Sequence, residues 1–236
     1  MAADATAAVP EPDPVAGALR RKRLLMAALA LIAVLCTGIA IGLMLRVPLQ
    51  DSSAAPNAVD VGFCQDMSIH HTQAVQMSAF EFAGGSDPDV KRLAYDIMTT
   101  QANQAGRMQG WLQQWNKPVA AVGGYMGWMT VPMSGHDMSG MSGTGTHPVP
   151  RMPGMASDAE MEQLQKLTGP AQDTLFLQLM LRHHQGGLPM ITDATDHADT
   201  DVVRSLAASM AKTQAGEMQT MTQMLTQRGA APLPMN

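Results

Sequence analysis

Outside one apolar run, this 236-residue chain has a single cysteine, Cys64; its other cysteine, Cys36, lies within that run. No intramolecular disulfide can therefore form beyond the run, and the fold there rests on packing alone. Aromatic residues make up 4% of the chain and charged residues 15%. Apart from Arg20-Arg21-Lys22-Arg23 there is no basic cluster, and the net charge is −5, which argues against nucleic acid as a partner. β-Branched runs are short and no hairpin dipeptide joins two of them, so no sheet is expected. A Ser-His-Asp set, a phosphate loop and a zinc-protease motif are all missing, so no enzyme activity is read from the chain.

What the chain does have is methionine, 22 of them, and a repeat. Phe63-Cys64-Gln65-Asp66-Met67-Ser68-Ile69-His70-His71 is followed after five residues by Met77. Phe176-Leu177-Gln178-Leu179-Met180-Leu181-Arg182-His183-His184 is followed after five by Met190. The offset is 113 residues, and Asp60/Asp173, Val90/Val203, Leu93/Leu206, Gln101/Gln214 and Met108/Met221 keep it without a gap. A register held this long means two copies of one supersecondary unit. Two copies suggest a closed pseudo-symmetric domain rather than a solenoid, which needs about three.

Leu24 to Leu45 is uncharged. At about 1.5 Å per residue it spans roughly 33 Å, enough to cross a bilayer. It exceeds the apolar core of about 7–15 residues that a cleaved signal peptide carries, so an uncleaved anchor is expected. The basic cluster before it places residues 1–23 in the cytoplasm and the remainder outside. The expected organisation is a disordered tail (1–23), a transmembrane anchor (24–45), a linker (46–58) and a helical domain (59–232).

Within that domain, Asp60 is expected to cap a first helix, and Pro88 to open a second that ends before Pro118. Asp173 opens a third and Thr200 a fourth, with Gly229 as its stop. Leu93, Ile97, Gln101, Gln104, Met108 and Trp111 form one stripe of the second helix. Leu206, Met210, Gln214, Glu217, Met221 and Met224 do the same in the fourth, the pattern of amphipathic helices. The predicted fold is all-α: a four-helix bundle of two repeated helical hairpins, preceded by a single transmembrane helix. A Met/Gly/His-rich loop, 118–157, joins the hairpins, and Ser157-Asp158-Ala159-Glu160 is a capping box for a short helix after it. Gly186-Gly187-Leu188-Pro189 is expected to interrupt the third helix and make the two halves unequal.

The spacing puts Met67, His70, His71 and Met77 on or beside one helix face, and Met180, His183, His184 and Met190 repeat it. Thioether with imidazole suits copper, above all Cu(I); zinc prefers His with Cys or carboxylate. A di-iron carboxylate site is excluded, because Glu81 and Glu217 are the only glutamates in the four long helices. Asp66, four residues before His70, is a candidate to orient its ring. Cys64 aligns with Leu177 and reads as a small core residue. In the loop, His136, Met138, Met141, Met152 and Met155 form a secondary candidate set. The bland alternative for the duplicated histidines is a polar hydrogen-bonded layer that fixes helix register.

The pattern Asp60-x-x-Phe63-x-x-x-Met67-x-x-His70-His71, its second copy from Asp173 to Gly186, and the Thr-Gln segments at 100–101 and 213–214 resemble the DUF305 family over about residues 58–232. That resemblance implies a ferritin-like four-helix bundle, often exported or membrane-anchored, with copper binding and resistance in some members. The function expected is an extracytoplasmic, membrane-anchored copper-binding protein serving storage, transfer or resistance. Its partners would be the metal ion, the membrane and a metal-transfer or membrane-complex protein. The alternative is a non-catalytic subunit of a membrane complex with a structural histidine layer.

Overall fold

A computed structural model describes residues 14–46, 54–130 and 148–236 of the chain. It divides into two units, Met1–Ser52 and Ser53–Asn236. The first contains α1 (Pro14–Arg46), which reaches back into the stretch that composition marks as a disordered tail. Its Leu19–Leu43 segment has a mean hydropathy of 2.7 over its most apolar part, long and apolar enough to span a bilayer or to serve as a signal sequence.

The second unit holds α2 (Ala58–Gly84), α3 (Pro88–Gln114), α4 (Asp158–Lys166), α5 (Gly169–His197) and α6 (Asp201–Gln227). Among the described residues there is no strand, and Tyr125 and Val149 form an isolated antiparallel bridge in the connecting segment. α2 and α3 form one hairpin, α5 and α6 the other.

Local chemistry explains the helix ends. The cap of α2 is Asn57 and not Asp60: Asn57 Oδ1 accepts from Asp60 N–H at 2.9 Å, and Asp60 Oδ2 accepts from Asn57 N–H at 2.9 Å. Asp87 caps α3 with Pro88 at its first position, and Ser157 and Glu160 box α4. α3 and α6 end alike. Asn116 (φ 54°) and Gly229 (φ 64°) take the left-handed conformation. Lys117 N–H then reaches Leu112 O at 2.8 Å and Ala230 N–H reaches Leu225 O at 3.0 Å, closing each last turn.

Asp60 does its larger work across the bundle. It accepts from Asp199 N–H at 3.0 Å, from Thr200 N–H at 3.1 Å and from the Thr200 hydroxyl, so it holds the α5–α6 turn. Asp173 does the same for the α2–α3 turn, accepting from Ser86 N–H and hydroxyl at 2.8 Å each and from Asp87 N–H at 3.1 Å. Each hairpin thus grips the turn of the other, at the same sequence offset. These clamps, with Asn57 Nδ2 donating to His197 O and Gln172 Nε2 to Phe80 O, fix α2 and α5 antiparallel.

α5 runs unbroken through Pro189, contrary to the expected interruption. Proline removes one backbone donor without ending the helix. The neighbouring glycines serve close packing instead. A Cβ on Gly186 would lie 2.2 Å from Pro153 O, and one on Gly154 (φ +77°) 2.5 Å from Arg182 O. The Pro153-Gly154 turn therefore lies directly against the α5 backbone.

Candidate metal centre

Because α2 and α5 are antiparallel, their His-His pairs meet at mid-bundle. The Nε2–H of His183 donates to the backbone carbonyl of His70 at 3.0 Å. The rings of His70 and His183 lie against each other at a 32° tilt with centroids 3.7 Å apart, and the centroids of His183 and His184 are 6.3 Å apart. All four imidazoles are buried. Burial, reinforced by the neighbouring His71, pushes His70 down to about 3. Burial likewise pushes His71 down to about 4. Burial, with the adjacent His70, His184 and His71, holds His183 well below the ordinary imidazole value. The neutral imidazole that results is the form that ligates metals.

The second helix of each hairpin backs this layer. His71 Nε2 lies 2.8 Å from Gln104 Oε1, and His184 Nε2 lies 2.7 Å from Glu217 Oε2. Gln104 and Glu217 are partners at the repeat offset. A carboxylate accepts and never donates, so His184 carries a proton on the Nε2 that faces Glu217. The Nδ1 atoms of His70, His71 and His184 are buried and have no hydrogen-bond partner among the described residues. The same is true of both amide atoms of Gln101 and of Gln214 Oε1. An unsatisfied buried polar atom costs about 1–3 kcal/mol, so such a concentration calls for a ligand or a function.

The thioethers lie in two apolar clusters, one at each end of the layer. Met67 and Met190 share one with Met108, Met126, Met129, Met152 and Met210. Met77 and Met180 share the other with Met221. Each pair takes one methionine from each repeat, so Met190 keeps its pseudo-symmetric place despite Pro189. Cys64 is buried in the first cluster, and burial, aided by the Asp60 charge, raises its thiol far above the ordinary range. It is a core residue.

Of the secondary set, Met152 is buried beside Met67 and Met190, and half-buried Met155 packs on the same cluster. His136, Met138 and Met141 lie outside the described residues. Met152 belongs to a strap over the layer, where Pro153 O lies 3.4 Å from His70 Nε2. Gln73 binds the Ala156 N–H and carbonyl at 2.7 and 2.9 Å, and the Asn236 side chain binds Gly154 N–H and Met155 O.

Asp66 does not orient His70. Its Oδ2 accepts from Met126 N–H at 2.6 Å and from Trp128 Nε1–H at 2.7 Å, tying down the segment after α3. The histidine partners Gln104 and Glu217 were visible in the sequence only as members of amphipathic stripes. The signal that marks them is polarity at core-facing positions, duplicated at the repeat offset.

Among the described residues, no three His, Cys, Asp or Glu side chains stand arranged as a ready metal cage. The layer is packed, with the His70 and His183 rings in close contact. Its donors are imidazoles flanked by thioethers, a set that fits a soft cation and poorly fits a hard one.

The family model described as "Domain of unknown function (DUF305)" matches residues 60–225. A DUF305 protein from Streptomyces coelicolor is 39% identical, with a TM-score of 0.63, over 75% of this chain and 96% of that one. A DUF305 fragment from Deinococcus radiodurans is 29% identical, with a TM-score of 0.57, over 74% and 99%. CopM in its Cu(I)-bound form is 21% identical, with a TM-score of 0.53, over 71% and 96%. No curated protein matches significantly. The matched segment contains both His-His pairs, all of α3 and α5 and nearly all of α2 and α6, and the chain belongs to the DUF305 family.

Proposed function

We propose that this protein binds copper at the duplicated Met-x-x-His-His motifs, for storage, transfer or resistance, outside the cytoplasm and anchored by α1. The observation that carries the reading is the gathering of His70, His71, His183 and His184 into one buried layer in which three Nδ1 atoms lack partners. Met67, Met77, Met180 and Met190 lie beside that layer as soft donors. Structures of CopM are described as Cu(I)-, Cu(II)- and Ag-bound, which supports a soft-metal role for the shared fold. The basic run Arg20–Arg23, in α1 just ahead of its uncharged stretch, orients the bundle away from the cytoplasm. His136, Met138 and Met141, with Met152 and Met155, remain a secondary candidate set for the metal.

The test is competition of the detergent-solubilised chain against a Cu(I) chelator under anaerobic conditions. Replacing His70, His71, His183 and His184 together by glutamine is expected to abolish the tight site while circular dichroism stays helical. Unchanged affinity in that variant would refute the reading.

A second reading draws on the hydrogen bonds that every one of the four histidines makes. These suit a structural layer in a non-catalytic subunit. A stoichiometric membrane partner retained after metal stripping, together with no measurable copper affinity, would select it.

A further inference from the structure

The two half-sites have the same letters at the histidines and different charges behind them. His70 faces the carbonyl of Pro153, His183 the carbonyl of His70, and His71 the amide of Gln104. Only His184, among these contacts, meets a charged group, Glu217. The nearest other charge in sequence, Arg182, turns away to α4, where it pairs with Glu160 at 2.8 Å and is neutralised. Asp66 is committed to Met126 and Trp128. Among the described residues, the layer's histidines therefore meet one carboxylate, itself largely buried, with a side-chain exposure of 14%. Burying net charge in such a setting is expensive, so the count of carboxylates decides which ion charge is tolerated.

We propose that Glu217 sets the charge of the accepted cation: one carboxylate behind four imidazoles balances a monovalent soft ion, Cu(I) or Ag(I), and leaves a divalent ion uncompensated. Gln104, its pseudo-symmetric counterpart, keeps the other half neutral. This rests on the copper-binding reading and adds to it the residue that selects oxidation state. Glu217 acts through His184 and is a positioning and specificity-determining residue.

The prediction is about a ratio. A unit charge acting across one imidazole ring at an effective dielectric near 20 changes the relative affinity for monovalent and divalent ions on the order of fiftyfold. For copper, fiftyfold corresponds to about 100 mV in the Cu(II)/Cu(I) potential, at 59 mV per tenfold for one electron.

The experiment uses the full chain in detergent. Affinities for Ag(I), Cu(I) and Cu(II) and the potential of the copper-loaded protein are measured for wild type, Glu217→Gln, Gln104→Glu and the double exchange. Glu217→Gln is expected to weaken both copper ions but Cu(II) more, raising the potential by about 100 mV. Gln104→Glu is expected to lower it by a similar amount. The double exchange, which restores the charge count with the carboxylate moved, is expected to return the potential to near the wild-type value. A merely structural role for Glu217 would weaken Cu(I) and Cu(II) equally and leave the potential unmoved, which overturns the inference. If Glu217→Gln fails to fold, Gln104→Glu still decides it through the expected lowering of the potential. Wild type that binds no copper refutes the copper reading and this inference together. Copper binding with potentials that ignore the charge count refutes this inference alone.

Discussion

Acidification attacks the bundle at its histidine layer, and the size of the effect can be worked from the structure. In the unfolded chain these imidazoles take up protons near their ordinary value of 6.5, whereas in the bundle burial delays uptake until about 3 for His70 and about 4 for His71. The stability this difference represents is present above pH 6.5 and is lost as pH falls toward the folded values. Each histidine contributes about 1.4 kcal/mol per pH unit in that window, and His183 acts in the same direction. Glu81 acts in the opposite direction. Burial, with the adjacent Asp173 carboxylate, raises it from 4.5 to about 8, so its contribution is present at low pH and lost as pH rises between those values. From pH 6.5 to 4.5, His70 and His71 together outweigh Glu81, by on the order of a few kcal/mol before His183 is counted. Urea unfolding of the metal-free protein at several pH values measures this directly. Stability is expected to fall on acidification, and Glu81→Gln is expected to steepen the fall. Stability that stays flat or rises from pH 6.5 to 4.5 would refute the argument that the layer is held neutral by burial.

Two further predictions concern packing. Gly186→Ala places a Cβ 2.2 Å from Pro153 O, so it should destabilise by about 1–3 kcal/mol. It should also speed hydrogen exchange at the Ala156 amide by loosening the strap. Gly216→Ala, on α6 with open space around it, is the control and should stabilise by about 0.4–1 kcal/mol in the same urea titration. Asp60→Ala removes the acceptor for Asn57, Asp199 and Thr200, and Asp173→Ala removes the acceptor for Ser86 and Asp87. Each should cost about 2–4 kcal/mol in thermal or urea unfolding, because several donors are left without a partner at a helix start.

α2, α3, α5 and α6 were readable because each carries a stripe at helical spacing, although two starts were misplaced: α2 is capped by Asn57 and not Asp60, and α5 begins at Gly169, so that Asp173 stands inside it. Pro88, Asn116, Ser157 and Gly229 act within one turn of themselves, and the sequence displays such chemistry directly. Asp60 and Asp66 misled for the opposite reason. Both stand where a local role is available, and both take partners far along the chain: Thr200 for one, Met126 and Trp128 for the other. Pro189 misled by rule. A proline inside a helix costs one donor, and the packed helix continues past it.

By itself the sequence determined the repeat, the helical class, the apolar first helix and the duplicated Met and His positions, because periodicity and offset are one-dimensional properties. Only the tertiary structure decided that α2 and α5 cross antiparallel, so that the two His-His pairs form one layer and the methionines sort into mixed pairs on either side. It also decided that Gln104 and Glu217 stand behind equivalent histidines. That placement depends on the reciprocal clamps of Asp60 and Asp173, contacts between residues that no local pattern joins. The charge difference between the two halves is written in the letters at 104 and 217, but it acquires meaning only once packing brings each letter against an imidazole.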